Sequence, residues 1–252
     1  MDWTLWHYAA VAALGVAAGI INILAGGGSN LILPVLMIFG VPPDVANGTN
    51  RVGVLFQSLA GIRGFRRAGR LPTQDWKGVM LPLVAGGLAG SVLASVLPNA
   101  VLKPALLLTM LGVAALILVK PSLLLAADGT AVRTVAATPW ARPVLFAAGI
   151  YGGFVQAGAG FLLLPIFAGL LCYDLVRANA LKVLCTLSFT AVSLAVFLWY
   201  GKIWWGVGLV LAAGNTLGAE IGVRLALKLS PAVMRWLLFV MTLAAVAGAM
   251  WQ

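Results

Sequence analysis

Acidic residues are nearly missing from this chain. Six Asp and Glu stand against sixteen Lys and Arg over 252 residues, and charged residues of both signs make up only 9%. A soluble globule carries about a quarter of its residues as charges, so a water-solvated domain is excluded. Histidine occurs once, His7, and cysteine twice, Cys172 and Cys185. Two cysteines cannot build a disulfide framework and read as packing residues. His7 with Asp2 is too little for a metal site, so no metal or other cofactor is expected. No His/Cys/Asp cluster, carboxylate pair or nucleophile motif appears. Gly26-Gly27-Gly28 lacks the lysine and hydroxyl of a phosphate-binding loop. No catalytic residue is therefore expected.

What is present is hydrophobic. Apolar residues make up 62% of the chain, in recurring runs long enough to cross a hydrocarbon core of about 30 Å. The reading is a single all-α integral membrane domain, 1–252. The net charge of +10 does not point to nucleic acid, because the cations cluster in short loops between apolar runs, as the positive-inside rule expects. The nine tryptophans fall near predicted segment ends, the pattern of an interfacial aromatic belt.

Two passages echo each other. Ala25-Gly26-Gly27-Gly28-Ser29-Asn30 precedes Pro34 and Arg51, and Ala157-Gly158-Ala159-Gly160 precedes Pro165 and Lys182 at the same offset (34 to 165, 51 to 182). The chain therefore divides into a first repeat, 1–119, a linker, 120–138, and a second repeat, 139–252. In the first, helix a covers Thr4–Leu24, a break Ala25–Asn30, a short segment b Leu31–Val41, and helices c, d and e Asp44–Arg66, Thr73–Leu97 and Asn99–Val119. In the second, a covers Pro139–Val155, the break Gln156–Gly160, b Phe161–Leu171, and c, d and e Asp174–Tyr200, Ile203–Lys228 and Ser230–Trp251. Eleven helical residues reach roughly 16 Å, about half a bilayer. Short segments interrupted by Gly and Pro at matching places in two halves mark the binding site of a duplicated transporter.

Loop charge sets the expected topology. Arg63, Arg66, Arg67, Arg70 and Lys77 crowd the first c–d loop, which is assigned to the cytoplasm together with the linker. If a and b form a hairpin or two crossings, each repeat has odd parity and the second is inverted. Of the sixteen cations only Arg51, Lys103 and Lys202 then remain outside. An arrangement with a and b as one broken crossing exports Arg224, Lys228 and Arg235, and the charge pattern opposes it. Parity leaves open whether b spans or is re-entrant.

Helix c of the first repeat carries Asn47, Asn50, Arg51, Gln57, Ser58 and Gly61 on one face, and that of the second carries Asn179, Lys182, Thr186, Thr190 and Ser193. Such stripes face partners or a water-filled cavity, although interhelical hydrogen bonding alone accounts for many of them. Arg51 and Lys182 are costly within an apolar helix unless they snorkel to an interface. Converging on one cavity they favour an anion, with backbone N–H groups after the breaks as further donors. The expected anion site comprises Arg51, Lys182, Asn50, Asn179, Gln57, Gly27, Gly28, Ser29, Asn30, Gln156, Gly158 and Gly160. Glu220, the one carboxylate well inside a predicted span, is a candidate for proton coupling or for an ion pair with a buried cation. Its counterpart in the first repeat is Leu88.

These residues carry a resemblance. Asn22-Ile23-Leu24-Ala25-Gly26-Gly27-Gly28-Ser29, Ala46-Asn47-Gly48-Thr49-Asn50-Arg51-Val52 with Gln57, and Leu175-Val176-Arg177-Ala178-Asn179-Ala180-Leu181-Lys182 resemble the toluenesulfonate uptake permease superfamily, also called the TauE/SafE sulfite exporter family. The resemblance covers nearly the whole chain. It implies a multi-pass transporter of the bacterial inner membrane for sulfite, thiosulfate, sulfonates or organosulfur acids. The expected function is secondary transport of such an anion by alternating access between inverted repeats, with possible proton coupling; the alternatives are an anion channel and, further off, a membrane enzyme acting on lipids. The expected partners are a small anionic solute and the bilayer, with no nucleic acid; a homo-oligomer is left open.

Overall fold

A computed structural model describes residues 3–24, 26–72, 75–119 and 131–226. All regular structure among them is helical: α1 Leu5–Leu24, α2 Ser29–Ile38, α3 Pro43–Arg67, α4 Trp76–Val96, α5 Asn99–Val119, α6 Ala141–Phe154, α7 Ala159–Leu164 continuing as a π-helix over Pro165–Leu170, α8 Leu175–Trp199 and α9 Trp205–Ala226. Four of these, α1, α4, α8 and α9, are long and apolar enough to cross a membrane. The 25 residues of α3 are as long but carry the polar stripe. Helix e of the second repeat, Ser230–Trp251, and linker positions 120–130 lie outside the described residues.

Most boundaries fall where pattern and caps put them. Pro42 and Pro43 start α3, because proline has no N–H to lose in a first turn. Asp174 starts α8 by accepting a hydrogen bond from the Arg177 N–H at 3.0 Å. Three expectations need correction. Neither break runs as far as expected: Ser29 and Asn30 open α2, since Asn30 and Leu31 N–H already bond the Gly27 and Gly28 carbonyls, and Ala159 and Gly160 open α7, where the Ala159 and Phe161 N–H bond the Gln156 and Gly158 carbonyls. Helix d of the first repeat begins at Trp76, because Asp75 takes a left-handed φ of 53°. The second segment b is not one regular helix: α winding gives way to π winding at Pro165, whose missing N–H disturbs the ladder.

Neither segment b crosses the protein. α2 starts with Gly28 against Ala18 and Asn22 of α1 and runs back, so that the Phe39 ring lies 5.8 Å from Trp3 and 6.0 Å from Trp6. After α7 the chain returns likewise, and the Leu171 carbonyl accepts the Arg133 N–H, which precedes α6, at 3.0 Å. Each break is thus the tip of a re-entrant hairpin.

Glycine seams hold the long helices. On α1 and α9, Gly15 faces Gly214 and Gly19 faces Gly218, so the two run parallel. On α6 and α4, Gly149 and Gly153 face Leu83 and Gly87, again in parallel. Small residues let backbones approach closely where lipid gives no hydrophobic drive. α3 and α8 cross antiparallel: Gly61 lies by Val183 and Gly48 by Phe197. The charged ends separate along α3, roughly 37 Å long. At its start Asp44 pairs with Lys202 at 2.6 Å, and Arg66 and Arg67 occupy its last turn. Trp6, Trp76, Trp140, Trp199 and Trp205 are exposed at or near helix ends, whereas Trp3 packs against Trp204 with ring centroids 4.8 Å apart. Trp236 and Trp251 lie outside the described residues.

Candidate functional site

The two hairpin tips meet. Gly26 and Gly160 lie backbone to backbone, with no room for a Cβ on either. Gly26 has a φ of +89°, which suits glycine alone. In the second tip Gly158 takes +76°, and Gln156 is held at +62°, a conformation costing an L-residue about 1–2 kcal/mol. Such strain collects at functional sites. The Asn30 side chain approaches Gly158 from the first tip, and the Tyr151 hydroxyl approaches it from α6 while donating to the Ala157 carbonyl at 2.7 Å.

Around this junction twelve of the thirteen expected site residues are buried: Gly27, Gly28, Ser29, Asn30, Asn50, Arg51, Gln57, Gln156, Gly158, Gly160, Asn179 and Lys182. Asn50 donates from Nδ2 to the Ser29 hydroxyl at 2.9 Å, fixing the start of α2 to α3. Gln156 donates from Nε2 to the Thr190 hydroxyl of α8 at 3.3 Å. The oxygens of these two amides, Asn50 Oδ1 and Gln156 Oε1, are buried without a partner, as are Asn179 Oδ1 and Arg51 Nε. Unmet polar atoms at such density are costly, each about 1–3 kcal/mol, and this is the state in which a polar ligand finds groups ready to bind it.

Arg51 and Lys182 do not snorkel; they are 0% and 2% exposed. Lys182 Nζ donates to the carbonyls of Asn22 and Ile23, each at 3.0 Å, in the last turn of α1. Arg51 donates from Nη1 to the Gly152 carbonyl at 3.3 Å and from Nη2 to the Gly153 carbonyl and to Asn47 Oδ1, while its guanidinium lies 4.7 Å from the Phe197 ring centroid. Asn47 Nδ2 donates to Phe154 O at 2.7 Å. Each cation thus sits at the negative end of a helix dipole. Among the described residues neither cation has an acidic partner.

Glu220 is not brought to this site. It is exposed, in register with exposed Leu217, Ile221 and Arg224 of α9, and does not pair with Arg51 or Lys182, so the ion-pair role is corrected: α9 turns its glycine seam, not Glu220, inward. Leu88, its counterpart, is exposed too. The expected site did not include Asn47, Tyr151, Thr190 or Phe197, nor Asn215 of α9, whose buried amide nitrogen lies against Gly53 of α3. Asn47 and Thr190 belong to the recognised stripes. Tyr151 and Phe197 gave no signal among so many apolar residues.

A bundle of apolar spans around two re-entrant tips and a buried polar centre defines a multi-pass membrane protein of the transporter class. The chain belongs to the sulfite exporter TauE/SafE family, whose pattern matches residues 11–250. Relatives are named as probable membrane transporter proteins. ORF9 of a Sinorhizobium species is 28% identical over 227 residues, covering 90% of this chain and 86% of its own. A Haemophilus influenzae protein is 26% identical over 242 residues, covering 96% and 94%. YfcA of Escherichia coli K12 is 28% identical over 215 residues, covering 85% and 79%.

Proposed function

We propose that this transporter carries a small oxygen-rich anion of sulfur, such as sulfite, thiosulfate or a sulfonate, bound where the two hairpin tips meet. The observation that carries this reading is charge. Two fully buried cations lie near the junction, and each is offset only by a helix C-terminus worth about half a negative charge and by neutral oxygens. About one positive charge then remains for a ligand to neutralise. Lys182 has used two of its three donors, and Arg51 keeps Nε free. Ser29, Asn50, Asn179, Gln57, Gln156 and the backbone at Gly27, Gly28, Gly158 and Gly160 surround the solute with neutral polar groups. Tetrahedral and pyramidal oxyanions suit such a shell. The family description, sulfite exporter, supports the same chemistry.

The mechanism proposed is alternating access between inverted halves in an inner-membrane setting, with the Arg67 end cytoplasmic. Its support is the antiparallel crossing of α3 and α8, and the matched packing of α1 on α9 and α6 on α4. The closed contact of Gly26 with Gly160 favours a gated carrier over an open channel. The test is a binding and flux screen of the purified, reconstituted protein against sulfite, thiosulfate, sulfonates and carboxylates. Saturable uptake of a sulfur anion is expected, and a protein that binds and moves none of them ends the proposal.

A further inference from the structure

The cations cross between the halves. Lys182 belongs to α8 but caps α1, and Arg51 belongs to α3 but caps α6. Both capped helices run directly into a hairpin tip: α1 ends at Leu24 two residues before Gly26, and α6 ends at Phe154 two residues before Gln156. Their last carbonyls have no partner further along the helix. In water such groups are solvated; here the opposite half supplies the donor. Asn47 reinforces one side by bonding the Phe154 carbonyl.

We propose that Arg51 and Lys182 are crossed positioning residues: each fixes the hairpin tip of the other half. This rests on the transporter reading for its use, but the geometry needs no solute. The Lys182 stem also passes over Gly160, whose Cβ would meet its Cδ at 3.0 Å. One lysine therefore touches both tips, its head holding the first and its stem packing on the second. A ligand that draws the ammonium away loosens α1 at the moment it occupies the junction.

The crossing gives a test that separates a positioning role from a ligand role and from plain loss of stability. The full-length protein, with Cys172→Ser and Cys185→Ser, carries either Ser29→Cys in the first tip or Ala159→Cys in the second, and maleimide labelling is followed without any solute. Lys182→Met keeps the stem and removes the donors. It is expected to speed labelling at position 29 about tenfold, because charge-assisted bonds holding the tip are lost, and to leave position 159 within about twofold. Arg51→Met is expected to do the reverse. Lys182→Gln, which keeps a donor, gives a smaller rise at position 29 and serves if the methionine variant does not fold. Equal rises at both positions, a rise only in the variant's own half, or no change overturns the inference. Thiosulfate protection of the parent protein is a separate arm: its absence counts against the anion reading and leaves the crossed pattern standing or falling by itself.

Discussion

Replacing Gly160 by alanine sets two effects against each other. Gly160 lies in the first turn of α7 with an ordinary helical backbone, where local propensity favours alanine by about 1 kcal/mol. On that ground alone Gly160→Ala should stabilise the protein. The junction opposes it. A Cβ at this position overlaps the Gly26 Cα and reaches 3.0 Å from the Gly26 carbonyl oxygen and from Lys182 Cδ. The first two obstacles are backbone and cannot swing away, and overpacking of this kind costs about 1–3 kcal/mol. Shifting Lys182 adds the weakening of two charged hydrogen bonds, each worth about 1.5–3 kcal/mol when lost. The overlap offsets the propensity gain and leaves a net loss of up to about 2 kcal/mol, to which the weakened lysine bonds add. For a chain this long each kcal/mol lowers the thermal midpoint in detergent by about 2–4 °C, and anion flux falls with it. Gly112→Ala in α5 is the control, since its added methyl meets nothing within 4 Å, and it should be neutral or slightly stabilising. A Gly160→Ala protein with the parent midpoint and flux would show that the tips do not touch.

Other outcomes follow from the same geometry. Arg51→Ala and Lys182→Ala, checked for expression and monodispersity, should each cut anion flux in proteoliposomes at least about tenfold, since each uncaps a helix end and removes a buried charge. Glu220→Gln should leave flux and its response to a pH gradient within about twofold, because the side chain is exposed and apart from both cations; a lost response would restore it as a coupling residue. Thiols introduced at Arg67 and Lys202 should label from opposite faces of the membrane, given their places at the two ends of α3, and same-face labelling would remove the proposed topology.

Much of this was legible in the chain. The offset of 131 positions, the two breaks and the two cations are local patterns, and local patterns survive folding. The half-bilayer length of segment b followed from counting residues, but whether it spans or returns did not, because parity is the same for both. Only the contact of Phe39 with Trp3, and of Leu171 with Arg133, decides it. The partners of Arg51 and Lys182 were hidden for a related reason. A cation within an apolar helix announces a cost but not its remedy, and backbone carbonyls across the molecule leave no mark in a sequence. Asp75 and Gln156 show the same limit, since neither residue type requires a positive φ.

The proposed duplication offers a way to separate what folding needs from what it does not. Asn215 and Leu83 occupy the same place at an offset of 132 (83 to 215): the carbonyl of each closes on a glycine of the other half's first helix, Gly19 and Gly149. Both are 0% exposed. Leucine suffices on one side, so the seam itself does not require an amide, yet both polar atoms of the Asn215 side chain are buried without a partner. Retaining them costs about 1–3 kcal/mol relative to a satisfied or apolar residue. The amide nitrogen presses on Gly53 of α3, three residues from Asn50, whose Oδ1 is also unmet. Asn215→Ala should therefore be neutral or stabilising in the thermal midpoint, which a purely structural asparagine would not allow. If flux falls while the midpoint holds, the amide belongs to the transport path; if the midpoint drops by several degrees, Asn215 is simply part of the packing.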